Sequence, residues 1–290
     1  MQARELKHRI NSLTISIIAF TGIVILILLF SFIIQEAVPA ISDIGLELFT
    51  GKYWYPTYED DPEFGLLPMI VGSLEVTGLT CLFVLPLGYL LAFFLYEYAK
   101  PTEKRIIKSA IDLLSGVPSV VIGAFMLIYI SPMMFSFGIY SPENILLAAI
   151  GLTILSLPYT ASLMEESLSS VDKSLKEGAL ALGTTRFTAG FRIVSKAAIS
   201  GILNAVILTI NRVIGETMVV LMVAGGAAIF PSSLFDPVRT LTAAIASEMG
   251  EVAQHSLHYS ALFSAGLILL VFSFILTILA GVISRKNQHT

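Results

Sequence analysis

The chain has 290 residues, 56% of them hydrophobic and 13% charged, with a formal net charge of -4 and a mean hydropathy of +0.85. Soluble domains carry about 25% charged residues. Half that fraction leaves too little charge to cover a water-exposed surface, which excludes a soluble enzyme, a disordered chain and a nucleic-acid-binding domain. The single cysteine, Cys81, sits in an apolar run, so no intrachain disulfide forms. It is read as a small core residue.

A bilayer core about 30 Å thick needs roughly 20 apolar residues per helix. The first such run, Leu13–Ile34, carries no charge. Its basic flank (Arg4, Lys7, Arg9) has the look of a signal peptide, but the apolar run is too long and no small-x-small cleavage site follows. Residues 1–34 are therefore expected to be an N-terminus and a retained first transmembrane helix. Residues 35–65 read as an acidic outer loop, holding Glu36, Asp43, Glu47, Glu59, Asp60, Asp61 and Glu63. Within it Tyr53, Trp54 and Tyr55 are expected at the membrane interface, where aromatic rings concentrate.

Residues 66–290 form the expected transmembrane core. Its spans are Met69–Tyr96, Ala110–Phe135, Ile145–Met164, Ala198–Ala224 and Ser260–Ile283, the first two containing Pro86 and Pro118. Six spans in all put both termini on one side. With that side inward, the inner segments hold Arg4, Lys7, Arg9, Lys100, Lys104, Arg105, Lys108, Lys173, Lys176, Arg186, Arg192, Lys196, Arg285 and Lys286, fourteen of the 17 basic residues. The outer segments hold Lys52 and Arg239, and Arg212 lies inside a span. Such a bias assigns the termini to the cytoplasm.

The inner segment at about 165–197 is too polar to span. It reads as two helices, the first over Ser167–Leu182 with Leu168, Val171, Leu175, Ala179 and Leu182 on one stripe, the second starting near Thr184. Gly183 supplies the stop between them. The apolar stripe needs a partner, either this chain's own bundle or another subunit.

Glu75, Arg212 and Glu216 sit within spans, where each costs about 2.5–3.5 kcal/mol on insertion scales. Arg212 and Glu216 are four residues apart, hence on one face if the helix is continuous. Two readings stand: an ion pair that neutralises both, or two groups on a solute path. Glu75 faces either a partner subunit or a polar cavity. Asp112 reaches the headgroups from the inner end of the third span, and Gly215 permits close helix contact. Glu251, His255 and His258 have the spacing of one helical face; they read as a zinc set or, with far more weight, as an outer-loop helix that touches a solute-binding protein. No phosphate-binding loop G-x-x-x-x-G-K-[ST] is present, so any ATP hydrolysis belongs to another subunit. No cofactor is expected.

The run Glu177-Gly178-Ala179-Leu180-Ala181-Leu182-Gly183, followed nine residues later by Ile193, resembles the EAA loop of permease subunits of ATP-binding-cassette (ABC) importers. Glu177, Ala179, Gly183 and Ile193 match; Gly178 replaces the first alanine, and Ser195-Lys196 stand where Leu-Pro is usual. Phe64-Gly65-Leu66-Leu67-Pro68, Gly72-Ser73-Leu74, Pro86-Leu87-Gly88, Glu97-Tyr98, Gly116-Val117-Pro118-Ser119, Gly215-Glu216-Thr217-Met218 and Leu241-Thr242-Ala243-Ala244-Ile245-Ala246 with Glu248 and Gly250-Glu251 are similar to the PstC-type permeases of phosphate importers, in order and spacing, over about residues 54–255.

The resemblance implies an all-α integral membrane protein of the type I ABC importer (MetI-like) class, with six transmembrane helices and a cytoplasmic coupling helix, in the inner or plasma membrane of a prokaryote. It implies a PstA-like second permease, two PstB-like ATPase subunits receiving the coupling loops, and a PstS-like phosphate-binding protein docking outside. It places Glu177, Ala179 and Gly183 at the ATPase and Arg212 and Glu216 on the phosphate path, where Glu216 competes for the guanidinium and keeps the anion from being trapped. The nearest alternative is an ABC permease for molybdate or sulfate, and the next an ion-coupled secondary carrier. A carrier predicts inverted repeats, and no convincing internal repeat is visible. A membrane-embedded enzyme would need a clustered catalytic set, which the sequence does not offer.

Overall fold

The computed structural model describes residues 2–58, 60–136, 138, 139 and 141–286, with side chains inside 12–282. Glu59 and the side chains of Arg4, Lys7, Arg9, Arg285 and Lys286, counted above among the loop charges, lie outside the described residues.

The chain is helical almost throughout, because only helices satisfy backbone N–H and C=O groups inside a single segment in lipid. α1 (Gln2–Ile44) and the short α2 (Glu47–Thr50) lead to a two-stranded antiparallel hairpin, β1 (Trp54–Tyr55) and β2 (Glu63–Phe64), with Trp54 opposite Phe64. α3 (Leu67–Glu97) follows, started by Pro68 in its first turn. Helix α4 (Pro101–Ser115) is amphipathic and again starts on a proline, a residue whose missing N–H has no partner to lose there. A single path of α5 (Ser119–Phe125), a π-turn (Met126–Ile130) and α6 (Ser131–Ser136) comes next. α7 (Ile145–Ser169) is capped by the Asn144 side chain, which accepts from Leu147 N–H.

The inner segment is α8 (Lys173–Ala181), α9 (Arg186–Thr188), a π-turn (Ala189–Val194) and α10 (Ser195–Ala197). α11 (Ile199–Ile214), α12 (Met218–Val223), α13 (Leu241–Glu248) and α14 (Leu257–Lys286) complete the chain. Among the described residues five helices are long and apolar enough to cross a bilayer: Ser12–Ile44, Leu67–Glu97, Ser119–Ser136, Ile145–Ser169 and Leu257–Val282. A sixth crossing is available from Arg186–Ala197 with Ile199–Ile214, two pieces bent by 71°.

Two expected spans need correction. The third, expected over Ala110–Phe135, is two elements: Gly116-Val117-Pro118 breaks the helix, and Pro118 precedes α5 instead of lying within a helix. The fifth, expected over Ala198–Ala224, ends at Ile214 and resumes only at Met218. Apolar residues on both sides of each break hid it from a count of hydrophobic length.

α3 against α7 is the largest helix contact, α1 lies on α14, and α11 packs on α7, α14 and α3. Buried side chains gather in three places. A central cluster includes Val76, Met126, Leu152, Val213 and Val219. An outer cluster is built around Trp54, Phe64, Met69, Leu241 and Leu262. An inner one joins Phe93, Met164, Leu168, Val194 and Ala205. Ile17, Phe20, Ile25 and Leu28 of α1 are exposed, as lipid-facing residues are. Trp54 is 5% exposed and meets Phe64 edge-on; Tyr53 and Tyr55 beside it are exposed.

Candidate functional site

Arg212 lies in the last turn of α11, with its side chain exposed. Glu216 is not its helix neighbour. Gly215 ends α11, and the chain runs through Glu216 and Thr217 before α12 begins. The expectation that both share one helix face is corrected: no ion pair or hydrogen bond joins them among the described residues. Glu216 turns to α12, its Oε1 accepting from the Met218 N–H at 3.3 Å, a suitable place for a carboxylate. Its backbone carbonyl accepts from the Thr242 hydroxyl at 3.0 Å.

Arg212 has a different companion. Its guanidinium carbon lies over the ring of Tyr159 in α7, 5.2 Å from the centroid. Reasoning from sequence missed Tyr159, because the contact joins residues far apart in the chain and Tyr159 carries no charge to flag it. Glu75, on α3, is exposed and has no ion pair or hydrogen bond among the described residues. The structure does not bring it together with Arg212 and Glu216.

At the inner end, the expected helix Ser167–Leu182 is interrupted. α7 stops at Ser169, and Asp172 caps α8 by accepting from the Ser174 N–H at 2.9 Å. The cap holds the Asp172 carboxyl below its ordinary value. Leu168 and Val171 therefore do not continue the α8 stripe. Gly183 has φ +85°, a conformation that side chains with a Cβ rarely adopt, so it does stop the helix and turn the chain. Ala179 is buried, while Glu177, Leu175 and Leu182 are exposed, Leu182 at 89%. The helix thus buries Ala179, half-buries Leu180 and leaves the rest of the motif exposed.

Two buried carboxylates, also missed, brace this end. Glu97 at the end of α3 is 1% exposed; Lys176 of α8 lies 2.8 Å from its Oε2, within ion-pair reach although off hydrogen-bond direction. Lys176 also sits over the Tyr96 ring. Glu165 of α7, 7% exposed, receives Lys104 at 2.5 Å and Lys108 at 2.7 Å, tying α4 to α7. Asp112, expected at the headgroups, is in α4, which lies before the break at residues 116–118.

At the outer end, Glu248 collects donors from three directions: the Trp54 indole N–H at 3.0 Å, the Arg239 guanidinium and the His258 ring at 2.8 Å. Burial pushes the Glu248 carboxyl up, but the hydrogen bonds from His258 and Trp54 and the charge of Arg239 outweigh it and hold the group below its ordinary value. The zinc reading of Glu251, His255 and His258 is corrected. The chain leaves the helix after Glu248, and His255 has φ +61°. His258 turns to Glu248 and His255 to Glu36, 3.5 Å away. Among the described residues no three His, Cys, Asp or Glu side chains converge on a metal position.

Comparison with known proteins follows the same lines. A family model described as "binding-protein-dependent transport system inner membrane component" matches residues 84–289. The probable ABC transporter permease YqgH of Bacillus subtilis is 37% identical over 84% of this chain and 79% of its own length. The phosphate transport system permease PstC of Haemophilus influenzae is 29% identical over 97% of this chain and 95% of its own. Among solved structures, a chain of a bacterial alginate ABC transporter, crystallised with its pentasaccharide-bound periplasmic protein, superposes with a TM-score of 0.67 at 16% identity, covering 94% of each chain. At that identity the likeness is one of fold.

Proposed function

The chain belongs to the family of binding-protein-dependent transport system inner membrane components, and from that premise we propose that it is the permease subunit of an ATP-driven phosphate importer. It forms half of the translocation pathway with a second, PstA-like permease. Two PstB-like ATPase subunits take up the loops built on Glu177, Ala179 and Gly183, and a PstS-like phosphate-binding protein docks on the outer side. Both termini are cytoplasmic, so residues 35–65 form the outer loop and 165–197 the inner one.

The observation that carries this reading is Arg212: a permanent cation, exposed at the end of a helix in the apolar part of the chain, with no hydrogen bond or ion pair among the described residues. Arginine presents a planar fork of N–H donors that fits phosphate oxygens. In a dry span such a group is retained where a solute uses it. Glu216 lies nearby in sequence but holds α12, so its carboxylate leaves the guanidinium edge to the anion. Closure of the ATPases on ATP pushes the inner loops together and turns the pathway outward; hydrolysis resets it.

The test is reconstitution of the four-part importer in vesicles. Arg212→Ala should lower labelled phosphate uptake about 10- to 100-fold, the size of a lost charged hydrogen bond, while the subunits still co-purify. Normal uptake in that variant removes Arg212 from the path. ATP hydrolysis should be stimulated by binding protein loaded with phosphate; stimulation by molybdate or sulfate alone would reassign the substrate, and uptake that ignores loss of the ATPase would make the chain a carrier.

A further inference from the structure

Helices α7 and α11 run antiparallel, and three contacts fix their register. The hydroxyls of Thr160 and Thr209, both fully buried, lie 3.1 Å apart. Gly201 meets Ser167 so closely that a Cβ on the glycine would come within 2.8 Å of the serine side chain. Arg212 meets Tyr159. As the residue number rises along α7, its partner's number falls along α11. The third helix, α3, closes the node: a Cβ on Gly88 would stand 2.7 Å from Thr160 Cγ2. Thr160 is therefore fixed by two neighbours, and the preceding residue, Tyr159, is delivered under the end of α11.

An arginine can stack on an aromatic ring and still offer N–H groups to an anion. The two uses do not compete. A carboxylate partner, in contrast, occupies two N–H groups. The Tyr159 ring lies 5.2 Å from the guanidinium carbon, and no hydrogen bond or ion pair takes up the Arg212 donors among the described residues, so they stay available to an oxyanion. We propose that Tyr159 is the positioning residue of the anion path, holding Arg212 at its ring so that the N–H groups stay presented to the passing oxyanion. This rests on the reading of Arg212 as a path residue.

The ring, not the hydroxyl, carries the role. In vesicles holding the complete importer, Tyr159→Leu should lower phosphate uptake about 3- to 30-fold, the span of a cation–π contact. The stimulation of ATP hydrolysis by loaded binding protein should stay near its parental level, so that more ATP is used per phosphate delivered. Tyr159→Phe and Tyr159→Trp should restore uptake to within about twofold. A merely structural residue would lose ATPase stimulation along with uptake. Tyr159→Met, unbranched and ringless, replaces the leucine variant if that one does not assemble. Parental uptake in Tyr159→Leu or Tyr159→Met beside a defective Arg212→Ala overturns the proposal alone, as does a phenylalanine variant as poor as leucine. Parental uptake in Arg212→Ala removes the underlying reading and the proposal with it.

Discussion

The end built around Glu248 and the exposed helix α8 are held in different ways. Outside, Glu248 draws Trp54 from the hairpin, Arg239 from the loop before α13 and His258 from α14 onto one carboxylate. Four segments are locked together there, the hairpin lying 194 positions from Glu248. Inside, α8 is tied back by Lys176 to Glu97, by the Thr184 hydroxyl to the Ala179 carbonyl at 2.8 Å and by the burial of Ala179. Its leucines at 175 and 182 are exposed. A closed network holds a shape; a helix with few ties and an uncovered apolar edge is fitted to be gripped and moved. That contrast fits the proposed importer, in which a binding protein would meet the Glu248 end and an ATPase would grip α8.

The largest expected effect is at the outer network. Glu248→Ala leaves an imidazole and an indole N–H without their acceptor and an arginine with only the Gly226 carbonyl, in a half-buried place. Removal of one partner from such a pair costs about 3 kcal/mol, read as a lower melting temperature in detergent. The same carboxylate sets an acid limit. Its folded value lies below the ordinary 4.5, so its contribution is whole above that pH and is lost as pH falls through the lower folded value. The parent should soften there, and Glu248→Ala should show a flatter acid profile. A variant that melts with the parent would mean the outer end is not the fixed one.

The contrast itself was only half legible in the sequence. The long apolar helices and the stop at Gly183 follow from local patterns, because hydrophobic length and a glycine's freedom are properties of consecutive residues. The breaks at Gly116–Pro118 and Gly215–Thr217 were hidden by apolar residues on either side. The ion pairs were hidden for a different reason. Lys104 and Glu165 are 61 positions apart, and Trp54 and Glu248 are 194 apart, so no periodicity links them. Arg212 was visible as a misplaced charge; its partner Tyr159 was not, because a ring inside an apolar span looks like core. Pairing Arg212 with Glu216 failed because spacing predicts a shared face only while the helix continues.

A smaller effect is expected inside. Lys176→Met removes the counter-charge of Glu97, whose side chain is 1% exposed, and should destabilise the attachment of α8 by about 2 kcal/mol. Because few contacts hold this helix, the loss should be local. Amide exchange in α8 should quicken several-fold while the global melting temperature moves less than in Glu248→Ala. An equal fall in both would show that the inner end is as tightly built as the outer one.

The smallest structural effect, with the clearest functional one, belongs to Glu177. Its side chain is exposed and has no ion pair or hydrogen bond among the described residues, so Glu177→Ala should change stability by no more than about 0.5 kcal/mol. If α8 is the part that an ATPase grips, the same substitution should still lower phosphate-stimulated ATP hydrolysis and uptake together. Gly183→Asp provides the opposite control, since a side chain at φ +85° strains the turn by about 1 kcal/mol and shifts the helix without touching Glu177. Coupling lost in both variants, with folding kept in the first, assigns the exposed edge to a partner. Coupling kept in Glu177→Ala would leave the edge without that role and would move the site of force transfer elsewhere on the inner surface.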